Sequence, residues 1–204
     1  MLRMQSAPWA RFVVCLLLAG AATACATRQS PLMRSVLLID TTAPPTSALI
    51  IFVRDSNPCD GGDPFRVVDE SGRFLGELVP SSKFPVRMEA GHHDFIAWQP
   101  HGDLPHDLYP DANQVGALGA DLQAGKTYTI DVSIKNATHE VHKACFAYQF
   151  LVMHFVDPST PSVSEVLDRA APFLPDVTRG QAALEQDRTD VSAHIALGLQ
   201  KLAR

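Results

Sequence analysis

Thr127-Tyr128-Thr129-Ile130-Asp131-Val132-Ser133-Ile134 alternates without a slip. Tyr128, Ile130, Val132 and Ile134 fall on one side of an extended chain, and Thr127, Thr129, Asp131 and Ser133 on the other. Successive strand side chains point to opposite faces, so this period of two predicts a half-buried β-strand. The turn residues Gln123-Ala124-Gly125-Lys126 lead into it, and polar residues from Lys135 to Lys143 lead out. Beyond them Ala144 to Val156 is a long apolar and aromatic run, which reads as a central strand.

Upstream the same texture repeats. Ala48 to Arg54 is a compact β-branched and aromatic run. Phe65 to Asp69 and Phe74 to Leu78 flank Glu70-Ser71-Gly72-Arg73 and predict a hairpin. Lys83 to Met88 alternates, but Pro85 cannot donate to a ladder, which suits an edge or a bulge. His92 to Trp98 reads as a further strand, and Val115 to Leu122 is weakly apolar. Short strands at close spacing without helices between them predict an antiparallel β-sandwich of about seven strands over residues 48–156.

Two C-terminal helices are expected over residues 157–204. Ser162-x-x-Glu165 and Thr178-x-x-Gln181 both match the capping box. The first helix stops at Pro172 or Pro175, and the second runs from about Arg179 to Leu202. Leu184, Val191, Ile195, Leu199 and Leu202 form a helical stripe that either packs on the sandwich or binds a partner.

The N-terminus sets the compartment. Arg3 and Arg11 precede an apolar segment of 13 residues, Phe12 to Ala24, that ends in small side chains. A membrane span needs about 20 apolar residues, so the segment reads as a secretory leader over residues 1–24. Ala22-Thr23-Ala24 fits an ordinary cleavage site. Followed by Cys25, the same residues resemble a bacterial lipobox, with Ala22 where such boxes carry Leu. The resemblance implies lipid on Cys25. Without it the protein is secreted free.

Four cysteines bear on that choice. Cys15 leaves with the leader, and lipid on Cys25 leaves Cys59 and Cys145 as an even pair in a compartment where disulfides persist. Their bridge would close 86 positions of chain, about 4–5 kcal/mol on the chain-entropy model. Residues 25–47, rich in Thr, Ser and Pro, read as a tether; within it Val36-Leu37-Leu38-Ile39 is either a first strand or a packed arm. Losing Arg3 and Arg11 takes the formal charge from −5 to −7, which argues against nucleic acid or anionic headgroups as partners.

Three features together resemble PEGA-like and related small envelope lipoprotein domains: the apolar run ending in Arg54, the Val67-to-Gly76 hairpin, and the Ala-Gly turns at Ala90-Gly91 and Ala124-Gly125. The second turn, with Lys126-Thr127-Tyr128, carries the closest likeness. The likeness covers about Ala48 to Val156 and implies a periplasmic or surface β-sandwich without catalytic residues.

No candidate chemistry outweighs that expectation. Cys145 and His142 lack an evident orienting group for a catalytic thiol. His92 and His93 are adjacent and so point to opposite faces of a strand. Asp55 to Arg66 is a poor calcium loop, with Cys59 and Arg66 where oxygen ligands belong. No nucleophile elbow, phosphate loop or metal spacing appears. The expectation is a non-enzymatic envelope lipoprotein with no cofactor. Its lipid holds it to a membrane, the outer one ahead of the inner, and its loops meet envelope protein or glycan. Trp98, His101, His106 and Tyr109, in and beside the long 99–111 loop, are the candidate surface. The alternative is a periplasmic metal-binding protein using His101 and His106.

Overall fold

Why the strands assemble as they do follows from which faces must be buried. In the computed structural model, residues 30–56, 62–100, 114–136 and 149–204 are described. The chain is mainly β, as expected. It contributes β1 (Met33–Ser35), β2 (Ala48–Arg54), β3 (Phe65–Asp69), β4 (Phe74–Leu78), β5 (Ser82–Met88), β6 (Gly91–Trp98), β7 (Val115–Leu122), β8 (Thr127–Asn136) and β9 (Gln149–Val156). Helix α1 (Pro161–Arg169), strand β10 (Ala171–Pro175) and helices α2 (Val177–Gln186) and α3 (Arg188–Leu202) follow.

Two sheets face each other, with strand orders β1-β10-β5-β2-β8-β9 and β4-β3-β6-β7. The alternation in β8 resolves as read: Ile130 and Val132 are in the core, with Tyr128 and Ile134 packed against it. Phe52 stacks on Phe84 at 5.2 Å and meets Phe95 edge-on at 5.5 Å, so one phenyl cluster joins both sheets. Rings in such offset and edge-to-face pairs add stability beyond the area they bury. Arg54 closes the core at one end. Its Cζ lies 3.6 Å over the Phe65 ring, and Nη1 donates to the carbonyls of Asp63 and Leu78 at 2.6 and 2.7 Å.

Three details depart from the sequence reading. The larger sheet is mixed, because β2 pairs parallel with β8 and β5 parallel with β10. Ten strands are present among the described residues, the additions being β1 and β10. β10 arises because Ala171 and Leu174 each precede a proline, which disfavours helix and pushes them to extended backbone. β1 is three residues long, and two of them, Arg34 and Ser35, are exposed, so it carries almost no hydrophobic pattern. It occupies Met33–Ser35, just before the expected Val36–Ile39 run.

The expected tether belongs to the fold from Ser30 onward. Ser30, Met33 and Ile39 are buried. Asp176 N donates to Leu32 O at 2.9 Å, and Asp40 bridges Arg87 at 3.0 Å.

The second helix is broken at Asp187 into α2 and α3. Neither capping box forms as read. Thr160 stands at the N-cap of α1, with Pro161 in the first turn, and the Asp176 side chain caps α2 by accepting from Arg179 N at 3.1 Å. Gln181 faces the sheet, where its Oε1 accepts from Phe74 N at 3.1 Å.

Helices α2 and α3 pack on the outer face of the four-stranded sheet. Leu184 and Val191 join Val68, Phe74, Ile96, Trp98 and Val115 in a second core. Two glycines permit that approach: a Cβ on Gly180 would stand 2.0 Å from the Phe74 ring, and one on Gly198 2.6 Å from Ile96. Leu184, Val191 and Ile195 of the stripe are therefore a packing face, while Leu199 is exposed. The molecule has three layers: mixed sheet, antiparallel sheet and helix pair.

Candidate functional site

Strand direction sorts the connections to two ends. Arg66 is paired with Trp98, Trp98 with Val115, and Asn136 with Gln149. Arg54 lies at the same end as Phe65 and Leu78, and β8 runs parallel to β2 beyond it. Within β2–β9 the three longest connections, β2–β3, β6–β7 and β8–β9, therefore all leave from one end. The β3–β4, β5–β6 and β7–β8 turns, of two to four residues, gather at the other.

The turn end holds a cleft of about 340 Å³, lined by Asp69, Glu70, Arg73, Arg87, Met88, Glu89 and His93. Its shape follows from one tight turn. Gly72 takes a φ of 79°, and Asp69 Oδ1 accepts from Ser71 N, Ser71 Oγ and Arg73 N at 3.1, 2.6 and 3.0 Å. Asp69 Oδ2 accepts from Arg73 Nε at 2.8 Å. An aspartate folding back on its own turn is an Asx motif, so Asp69 is a structural acid. Glu70 accepts from Asp94 N at 3.2 Å and stands 3.5 Å from His93 Nδ1. His93 Nε2 lies 3.1 Å from Glu89 O. The cleft's charges largely answer one another, and it presents no nucleophile beside a base.

His92 and His93 do point apart, His92 outward and His93 into the cleft. His92 lies 2.9 Å from Asp121 and 3.1 Å from Asp94. The Asp121 hydrogen bond is the main cause that raises its pKa above the usual imidazole value, aided by the nearby Asp94 charge.

A third polar group sits on the larger sheet. Cross-strand register sets Asp131 opposite His154, whose Nε2 is 3.8 Å from Asp131 Oδ2. Ser133 Oγ donates to that same oxygen at 2.8 Å. The serine is thus bonded to the acid and not to the histidine, so the trio lacks a nucleophile–base contact. Burial pushes the Asp131 carboxyl up. Sequence could place Asp131 and Ser133 on one face; only the register adds His154.

Buried charges tie the layers together. Arg66 Nε donates to Glu77 Oε1 at 2.9 Å, Ser30 Oγ donates to Glu77 Oε2, and Arg66 reaches Asp187 at 3.8 Å. The chain's N-terminal entry and the α2–α3 junction are thus fastened to one β3–β4 pair.

Trp98 is a correction. It was expected on the surface beside the 99–111 loop, but it is 0% exposed and stacks on His194 of α3 at 5.2 Å and 17°. Its position alternates with Phe95 and Ala97 and so turns it toward the helices. Cys25, Cys59, His101, His106, Tyr109 and Cys145 lie outside the described residues.

Among the described residues no group of three or more His, Cys, Asp or Glu could hold a metal ion. None of their helices is long and apolar enough to cross a membrane, which leaves membrane-crossing β-strands unaddressed. No family model, curated protein or solved structure matches the chain.

Proposed function

We propose that this chain is a bacterial envelope lipoprotein, held by lipid on Cys25, whose sandwich is a non-enzymatic binding module for envelope protein or glycan. One observation carries the binding reading: within β2–β9 the three longest connections depart together from one end, while turns of two to four residues gather at the other. Loops grouped on a rigid double-sheet frame are a common way to present a contact surface. His101, His106 and Tyr109 belong to the longest of these loops. With Trp98 buried, Tyr109 takes over as the aromatic anchor of the surface.

The anchor reading rests on Arg3, Arg11, the apolar segment Phe12 to Ala24 and the small residues before Cys25. Lipid on Cys25 leaves Cys59 and Cys145 to pair, and the strands that flank their loops, β2, β3, β8 and β9, meet at the loop end. The outer membrane remains the preferred address.

The test is cosedimentation of the purified protein with isolated envelope and, separately, with peptidoglycan sacculi. A His101→Ala/His106→Ala/Tyr109→Ala variant loses binding on this reading, while Glu70→Gln in the turn-end cleft leaves it intact. Equal binding by wild type and the triple variant overturns it. Zinc or copper retained in equilibrium dialysis, and released by His101→Ala/His106→Ala, would favour the metal-binding alternative.

A further inference from the structure

Edge strand β1 is bracketed by two features that need a joint explanation. On its near side Ser30 is buried and hydrogen-bonded to Glu77, so a residue fixed in the fold stands five peptide steps after Cys25. On its far side Leu37 is 100% exposed and Leu38 85%. The leucines are held rather than loose. Val36 N donates to Pro172 O at 3.2 Å just before them, Ile39 is buried just after them, and Asp40 is bridged to Arg87.

A fixed pair of neighbouring leucines standing in water gives the domain nothing, and exposed apolar patches of this kind mark contact sites. We propose that Leu37 and Leu38 are where the domain seats on the membrane, inserting among the acyl chains of the bilayer that holds the Cys25 lipid. The inference rests on the lipid-anchor reading and adds to it how the domain sits.

Chain length supplies the main argument. Five residues of fully extended chain reach about 17 Å, so a lipidated Cys25 keeps Ser30 within about that distance of the headgroups. No long tether exists to let the sandwich drift away. The β1 edge is the part of the fold nearest the anchor, and the leucines follow it directly.

Charge points the same way. The processed chain is acidic, at −7, so attraction to anionic headgroups cannot seat it, and an apolar contact can. Arg34, exposed on β1, is placed to meet phosphates while the leucines go deeper. In this pose the mixed sheet stands on its β1 edge. β9, at the opposite edge, lies five strand spacings of about 4.8 Å away, or about 24 Å.

Tryptophan quenching tests this directly. The chain has two tryptophans; Trp9 departs with the leader, and Trp98 is wholly buried. Leu37→Trp and, as the far-edge control, Phe155→Trp on β9 are purified in lipidated form and reconstituted into vesicles of phosphatidylethanolamine with brominated acyl chains. The intact mass of each sample is measured alongside. With lipid on Cys25, the inference expects Leu37→Trp to lose most of its added emission and Phe155→Trp to keep it. Lipid present with Leu37→Trp unquenched overturns the seating while leaving the anchor, and would mean that water or a protein partner covers the leucines. A mass without lipid overturns the anchor and the seating together.

Discussion

Gly180→Ala sets two effects of opposite sign against each other. In a solvent-exposed helix this change stabilises by up to about 1 kcal/mol, because glycine has more backbone freedom to lose. Here the new Cβ would stand 2.0, 2.2 and 2.4 Å from Cδ1, Cε1 and Cγ of Phe74. Unstrained carbon contacts begin near 3.5 Å, so α2 must back away by about 1.5 Å or the ring must move. The ring is 1% exposed and belongs to the second core with Leu184 and Val191, so it has little space to enter. Overpacking of this kind costs about 1–3 kcal/mol. Moving α2 also stretches the 3.1 Å bond from Phe74 N to Gln181 Oε1, and a weakened bond costs about 1 kcal/mol more. The clash wins, with a net destabilisation of about 1–3 kcal/mol. For a domain of this size that lowers Tm by about 3–9 °C.

The assay is thermal unfolding of the processed chain, followed by Trp98 emission, since Trp98 lies under α3 and reports on the helix layer. Phe74→Leu in the Gly180→Ala background shortens the obstructing side chain and should recover part of the loss relative to Phe74→Leu alone. A Gly180→Ala protein that melts higher than wild type would refute the close seating of α2 on β4.

Other expected outcomes concern charge and covalent structure. Burial raises the Asp131 carboxyl above its ordinary 3.8, so the folded state holds that proton more tightly than the unfolded chain. Its ionisation therefore subtracts stability as pH rises from about 3.8 through the raised folded value. Asp131→Asn should gain stability relative to wild type at pH 7 and lose that gain near pH 3, and unchanged differences across that range would contradict the burial. Proton NMR should give His92 a pKa above 6.5, and Asp121→Asn should bring it down; any stability from that contact is present below pH 6.5 and fades as pH rises through the folded value. Reductant should add two hydrogens to the processed chain and lower its melting temperature, with no effect on Cys59→Ser/Cys145→Ser; free thiols in the untreated protein would end the disulfide proposal.

What could be read in advance depended on how far each signal reaches along the chain. The alternation of Tyr128, Ile130, Val132 and Ile134 is local, and it gave the strand and its inward face. Val67-to-Gly76 likewise carries its own turn chemistry in Asp69 and Gly72. β1 and β10 are different: β1 pairs with β10 at three positions, and β10 pairs with β5 at two, so both rest on partners distant in the chain. The site suffered for the same reason. Phe95-Ile96-Ala97-Trp98 is apolar at every position, the mark of a strand covered on both faces, and that pattern foretells a layer over Trp98. Which layer covers it depends on Gly180 and Gly198, whose lack of side chains matters only once Phe74 and Ile96 stand against them. The link from Ser30 through buried Glu77 and Arg66 to the exposed Asp187 joins residues from three parts of the chain, and no periodicity announces it.

The anchor at Cys25 organises the proposed function, the seating of Leu37 and Leu38, and the pairing of Cys59 with Cys145. Intact mass of the protein purified from the membrane fraction tests it most directly. The account predicts a chain that begins at Cys25, lacks Met1 to Ala24, and carries the added mass of a diacylglyceryl group and an acyl chain. A chain cut after Ala24 with an unmodified Cys25, or one that keeps its leader, would contradict it.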